Sequence, residues 1–165
     1  MTRRGMGASA WRRLLTPVLF LWTAACLPWV ALQIWRCHRD LERRDWIALA
    51  ARSRQLKGLG FRTRTTRFWL ATAYAKLGQW EAAVEEFERM ARPLDDADRE
   101  SARYCHHVWA LHRLGRAEEA RTLLRHVVRD DWPAHRRAWA RSFLEPSRLA
   151  AEPAPPWQSE RQRLH

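Results

Sequence analysis

The stretch "AYAKLGQWEAAVEEF" (residues 73–87) has a Lys-Leu-Gly break between two segments rich in Ala, Glu and aromatic residues. A later stretch, "WALHRLGRAEEARTLL" (109–124), repeats this pattern 37 residues further along, the separation between Gly78 and Gly115. The matched pairs are Leu77 and Leu114, Gly78 and Gly115, Glu81 and Glu118, Ala83 and Ala120, and Phe87 and Leu124. A constant period in this range is typical of stacked helical hairpins. The pattern therefore predicts an all-α fold.

The spacing resembles the tetratricopeptide repeat (TPR), a helix–turn–helix unit of about 34 residues. The first copy matches the family positions at Leu70, Ala71, Tyr74, Gly78, Trp80, Ala83 and Phe87, and the second, looser copy matches at Tyr104, Val108, Leu111, Gly115, Ala120, Leu124 and Val127. Glycine allows the left-handed turn that ends the first helix of each hairpin. The resemblance implies two TPR-like hairpins over 65–130, forming a short α-solenoid.

Weaker signals flank the two hairpins. Trp46 precedes Trp80 by one family period of 34 residues, so we predict a juxtamembrane helix and a partial repeat over 36–57. Arg44 stands there in place of the turn glycine. The segment 131–145 is predicted to be a capping helix that begins at Asp131, with Arg136, Arg137 and Arg141 facing away from the core. Residues 146–165 are Pro-rich and polar, and this composition predicts a disordered tail.

A basic tail (1–13) precedes an uncharged run of 22 residues, "LLTPVLFLWTAACLPWVALQIW" (14–35). As a helix this run would be about 33 Å long, enough for a bilayer core of about 30 Å. Arginines bracket it, and tryptophans fall near its ends, where their rings favour the headgroup region. We therefore predict a single-pass transmembrane helix. Short repeat arrays need further packing, which favours a partner protein or a homo-oligomer.

Two alternatives to an uncleaved anchor stay open. The sequence "TAAC" (23–26) is similar to a bacterial lipoprotein box, with Cys26 as the lipidated residue, and the acid-free, Arg-rich start is similar to a mitochondrial presequence. Orientation is also open. Six arginines follow the run closely and four precede it, which on a positive-inside count places the C-terminal domain in the cytoplasm. Because larger C-terminal domains translocate largely regardless of charge, we favour a bacterial inner membrane with a periplasmic domain.

The TPR resemblance implies a concave groove lined by the first helix of each hairpin. Its residues, carried over position by position, are Thr65, Phe68, Thr72, Ala75, Lys76, Ala102, Cys105, Trp109, His112 and Arg113. They combine an aromatic floor with cationic edges, which suits an extended or helical peptide of acidic character. The alternative is that the N-terminal helix, the terminal helix or a partner subunit covers this face.

No enzyme signature is visible: the chain has no Gly-x-Ser-x-Gly, phosphate loop or His-Glu-x-x-His motif. His106 and His107 are adjacent, so they point apart on a helix, and we predict neither a metal site nor a cofactor. The acid pairs, Glu85-Glu86 among them, are interpreted as features of the helix surface.

The sequence thus predicts a membrane-anchored TPR-type interaction module that acts as a scaffold, assembly factor or accessory subunit. The alternative arises from the net charge of +12. It is a basic binder of anionic lipid or nucleic acid that uses Arg36, Arg39, Arg43 and Arg44 beside the bilayer, and Arg62, Arg64 and Arg67 in the loop that follows. Because acids are interleaved with the basic residues after Asp40, we do not expect nucleic acid as the main partner.

Overall fold

The computed structural model describes residues 8–90 and 93–145, with side chains from Cys26 onward. Seven α-helices and no strand form within these residues, so the predicted all-α class is confirmed there. The helices are α1 (Ala8–Arg43), α2 (Trp46–Gly58), α3 (Arg64–Lys76), α4 (Trp80–Glu88), α5 (Ala97–Arg113), α6 (Ala117–Val127) and α7 (Ala134–Leu144). The predicted tail at 146–165 and the first seven residues of the N-terminal tail lie outside the described residues.

Helix α1 runs without a break through the predicted transmembrane segment and the predicted juxtamembrane helix. Most of the 14–35 run has side chains outside the described part of the chain. Among the residues that are described, no helix is both long enough and apolar enough to cross a membrane.

Three helix ends share one turn geometry. Gly78 and Gly115 have φ angles of 76° and 77°, in the left-handed region that glycine adopts without steric cost. Arg44 ends α1 with a φ angle of 59°, although a side chain there costs about 1 kcal/mol. In each turn the next amide donates back to a carbonyl five residues earlier: Asp45 to Asp40, Gln79 to Tyr74 and Arg116 to Leu111, each at 2.9 Å. The left-handed turn that was predicted at Gly78 and Gly115 therefore also forms at Arg44, without a glycine.

Side chains set where several helices begin. The carboxylate of Asp45 accepts a hydrogen bond from the Ala48 amide at 3.0 Å, and the Thr63 hydroxyl accepts one from the Thr66 amide at 3.2 Å. Asp96 caps α5. Helix α7 begins at Ala134 rather than at the predicted 131, because its cap position is Pro133 and Asp131 instead accepts from Arg129 at 3.0 Å.

Successive helices pack in order along the chain, and α5 additionally contacts both α3 and α7, so the described domain is solenoid-like. A T-shaped contact between His38 and Trp69, with ring centroids 4.9 Å apart, joins α1 to α3. Ala83 and Ala120 are fully buried where paired helices approach closely. The largest fully buried side chains are Phe87, Leu49, Leu56, Leu70, Leu111 and Leu124. One apolar core thus runs from the second half of α1 to α7.

One member of the acid pair of α4, Glu86, is not a surface residue, contrary to the sequence-based interpretation. Glu86 is only 3% exposed and forms ion pairs with Lys57 from α2 and with Arg67 from α3, the latter at 3.3 Å. Arg89, on its own helix, lies 3.7 Å away. A buried carboxylate requires such partners. Glu86 therefore links three helices through one side chain.

Arg136 was also predicted to face away from the core, and this was wrong. It is buried and donates hydrogen bonds to the Asp98 carboxylate and the Ser101 hydroxyl, each at 2.7 Å. Charge-assisted hydrogen bonds are among the stronger ones in proteins. Arg136 therefore fixes the start of α7 against the start of α5.

Candidate functional site

A cleft of about 380 Å³ opens between the end of α1, the start of α2, α3 and α5. Its lining residues are Leu41, Glu42, Arg44, Trp46, Phe68, Thr72, Lys76, Asp98, Arg99, Ala102 and His106. The volume lies in the range of pockets that hold small ligands or single anchoring side chains. The cleft is the candidate binding site.

Three cations surround an apolar floor in this cleft. Lys76 lies over the indole of Trp46, with its Nζ atom 5.4 Å from the ring centroid. Arg44 and Arg99 are exposed at the edges. Of the two lining carboxylates, Asp98 already pairs with Arg136. The cleft therefore presents more positive than negative charge to an incoming group.

One buried polar atom lies in the wall of the cleft. Thr72 is buried, and within the described chain its hydroxyl makes no hydrogen bond. Buried polar atoms without partners are uncommon and call for an explanation.

Four of the ten residues predicted for the groove line this cleft: Phe68, Thr72, Lys76 and Ala102. Thr65 lies instead in a separate depression beside Asp95 and Arg99. On α5 the predicted Ala102 lines the cleft together with His106, one helical turn later, which was not predicted; the predicted Cys105 and Trp109 lie elsewhere. The sequence could have indicated His106, since it lies four residues after Ala102 and residues four apart share a helix face.

The remaining predicted groove residues pack against other helices. Ala75, Cys105 and Trp109 are buried. His112 meets the edge of Phe143 from α7, with ring centroids 5.4 Å apart, and lies 5.7 Å from the ring of Trp109. The guanidinium of Arg113 lies 5.7 Å from the centroid of Trp80 in α4. The terminal helix therefore covers part of the face that the sequence assigned to a partner.

The four juxtamembrane arginines divide into two groups. Arg36, Arg39 and Arg43 are exposed on α1, and the guanidinium of Arg39 lies 5.2 Å above the ring of Trp35. Arg44 belongs to the cleft instead, because the left-handed turn redirects the chain there. The basic surface beside the apolar run is thus separate from the cleft.

Buried histidines lie on α5. His106 has a pKa well below its usual value, because burial disfavours the charged ring and because Lys76 and Arg136 are near. His107 stacks on Phe87 with ring centroids 5.4 Å apart. Burial is the main cause that lowers the pKa of His107 to about 4. Both rings are therefore neutral at physiological pH in the folded chain.

This burial predicts sensitivity to acid. An unfolded histidine takes up a proton near pH 6.5, whereas His107 in the folded chain does so only near pH 4. Because the unfolded state binds more protons between these values, stability is lost as the pH falls through that window. We expect the free energy of unfolding, measured by urea denaturation, to fall by at least about 2 kcal/mol between pH 7 and pH 5.

The matched variants are His107→Phe, which keeps an aromatic ring on Phe87, and His126→Gln on the exposed surface of α6. His107→Phe should lose about 2 kcal/mol less than the wild type over the same pH interval. His126→Gln should lose as much as the wild type. An unchanged pH dependence in His107→Phe would assign the acid sensitivity to other groups.

The described residues contain no cluster of three or more His, Cys, Asp or Glu side chains placed to hold a metal ion. Cys37 and Cys105 are buried, and burial raises the pKa of Cys37. Comparison with known proteins finds no matching family model, no matching curated protein and no matching solved structure.

Proposed function

We propose that this chain is a membrane-anchored interaction module of TPR type, whose cleft holds an acidic, extended or helical segment of another protein. The observation that carries the proposal is the open cleft between α1, α3 and α5, with its apolar floor and three cations. Peptide grooves in helical domains combine such apolar anchoring with charged edges. The module would serve as an assembly factor or accessory subunit of a membrane complex.

The expected ligand chemistry follows from the lining residues. Trp46 and Phe68 form an apolar surface against which one aliphatic or aromatic side chain can pack. Lys76 and Arg99 attract a neighbouring carboxylate, and the Thr72 hydroxyl lies in the wall as a further polar group. Membrane anchorage rests on the uncharged run at 14–35, and a periplasmic domain is part of the same proposal.

Site-specific photocrosslinking in native membranes tests the cleft. A photoreactive amino acid in place of Ala102 should give a discrete adduct with a partner, identified by mass spectrometry. The matched position is Arg125, which is exposed on α6 away from the cleft. The pair Lys76→Glu and Arg99→Glu should reduce the adduct about ten-fold or more, because like charges then face the acidic segment.

Equal adducts from residues 102 and 125, or an adduct unaffected by the charge reversals, would refute the cleft as the binding site. A stoichiometric adduct that persists in detergent would favour a structural subunit. A changing, substoichiometric set of adducts would favour a transient assembly factor.

A second candidate function is binding of anionic lipid by the basic surface of α1. It is favoured by the exposure of Arg36, Arg39 and Arg43 on one helix. Binding of this kind weakens strongly with added salt, because it depends on screened charge. Vesicle binding that persists in high salt would rule out this second function as the main one.

A further inference from the structure

The loop between α2 and α3, residues 59–63, carries two large apolar side chains that are exposed to solvent. Leu59 is 57% exposed and Phe61 is 38% exposed. The loop is held in shape, since the Phe61 amide donates to the Leu56 carbonyl at 3.0 Å and Thr63 caps α3. Two large apolar side chains are therefore exposed in one ordered loop.

The antiparallel packing of α1 and α2 determines where this loop, the tip of the α2–α3 hairpin, lies along the axis of α1. Asp40 accepts from Arg52 at 2.6 Å, and the Cys37 thiol, one turn earlier on α1, lies near the Ser53 side chain. Because the two helices are antiparallel, each step of one residue toward the C-terminus of α2 corresponds to a step of one residue toward the N-terminus of α1. Continuing this register at 1.5 Å per residue places Leu59 opposite about residue 32 of α1.

Helix α1 is itself apolar and exposed at this height. Leu32, Ile34 and Trp35 are exposed on its outer side, whereas Val30, Gln33 and Cys37 are buried against the domain. The tip thus lies level with the end of the uncharged 14–35 run. If that run enters a bilayer, the tip must lie in or next to the headgroup layer.

The charges around the tip suit an anionic surface. Every charged residue between Trp46 and Trp80 is a lysine or an arginine. Arg54 and Arg62 are exposed, and long arginine side chains can reach headgroups while apolar neighbours insert. Arg39 over Trp35 adds an amphipathic pair at the same end.

We propose that the 59–63 loop is a second membrane contact, inserting Leu59 and Phe61 into the interface of a bilayer that contains anionic lipid. This inference rests on the proposed membrane anchor. Together with α1, the loop gives the domain two points of attachment and so a fixed tilt. The cleft then faces a constant direction relative to the bilayer.

Depth-dependent fluorescence quenching tests the loop. The full chain with Cys26→Ser is reconstituted in vesicles of phosphatidylcholine and phosphatidylglycerol, and one cysteine is introduced as Leu59→Cys, Phe61→Cys or Ile47→Cys. The remaining native thiols, Cys37 and Cys105, are buried. Ile47 is the matched control, because it is 72% exposed but lies about 18 Å away at the other end of α2.

An environment-sensitive dye at 59 or 61 should emit at shorter wavelength than at 47. Nitroxides on the lipid chains should quench it, and the quenching constant for aqueous iodide should be several-fold lower than at 47. Dyes at 59 and 61 that behave like the one at 47 would overturn the inference. So would a dye shielded from both iodide and lipid nitroxides, an outcome that indicates a second protein on the patch.

Carbonate extraction of the same vesicles separates the two proposals. A chain that stays in the membrane while the dyes at 59 and 61 report water would refute the loop contact alone. A chain released by carbonate would refute the membrane anchor, and the loop inference with it.

Discussion

Glu86→Ala is expected to lower the free energy of unfolding by about 3 kcal/mol or more. The substitution leaves Lys57 and Arg67 packed beside each other without the carboxylate that compensates them. Both cations retain some exposure, with 28% and 18% of their side chains accessible, so water can relieve part of the penalty. The effect should therefore lie near the lower end for a broken buried ion pair.

The preceding residue is a matched control for this prediction. Glu85 is also a glutamate on α4, but its side chain is 58% exposed and it pairs with Arg89 at the end of the same helix. Glu85→Ala should cost less than about 0.5 kcal/mol, as exposed pairs of this spacing do. Urea denaturation of the full chain in detergent, followed by far-ultraviolet circular dichroism, measures both. Equal losses would show that Glu86 does not link the helices.

Trp109→Ala is expected to cost about 4 kcal/mol of stability, because it removes a large side chain from a packed interior. Trp109 is 3% exposed and lies beside His112, whose ring contacts Phe143 of α7. The cavity left behind would loosen the terminal helix. The same denaturation experiment measures this loss, and Trp35→Ala, at an exposed position, should change stability by about 0.5 kcal/mol or less.

The burial of Trp109 changes how partner binding should be tested. The sequence placed Trp109 in the partner groove, and loss of binding in Trp109→Ala would then have indicated a direct contact. In the structure the same loss would follow from unfolding alone. Lys76 and Arg99 are the informative positions, since both lie at the cleft and neither belongs to the apolar core. A Trp109→Ala variant as stable as the wild type would contradict the packing described here.

The structure also shows why the groove residues were only partly predictable. Successive residues of an α-helix are rotated by about 100°, so an error of one position moves a side chain to a different face. Family positions carried onto α3 included Phe68, Thr72 and Lys76, which line the cleft. On α5 the same transfer included Ala102, which lines the cleft, but also Cys105, which is buried beside the lining residue His106.

What the sequence by itself determined is local. Helical periodicity predicted an all-α chain, and Gly78 and Gly115 predicted turns that depend on the backbone freedom of a single residue. These features need no information from distant parts of the chain.

What only the tertiary structure decided is the environment of the charged and aromatic side chains. Glu86 is surrounded because α2 and α3 each bring a cation to it, and Arg136 is buried because α5 offers it Asp98 and Ser101. A carboxylate or guanidinium is stable inside a protein only when its partners converge on it, and those partners lie up to 38 residues away along the chain. The same convergence of α1, α3 and α5 creates the cleft, which no single segment contains.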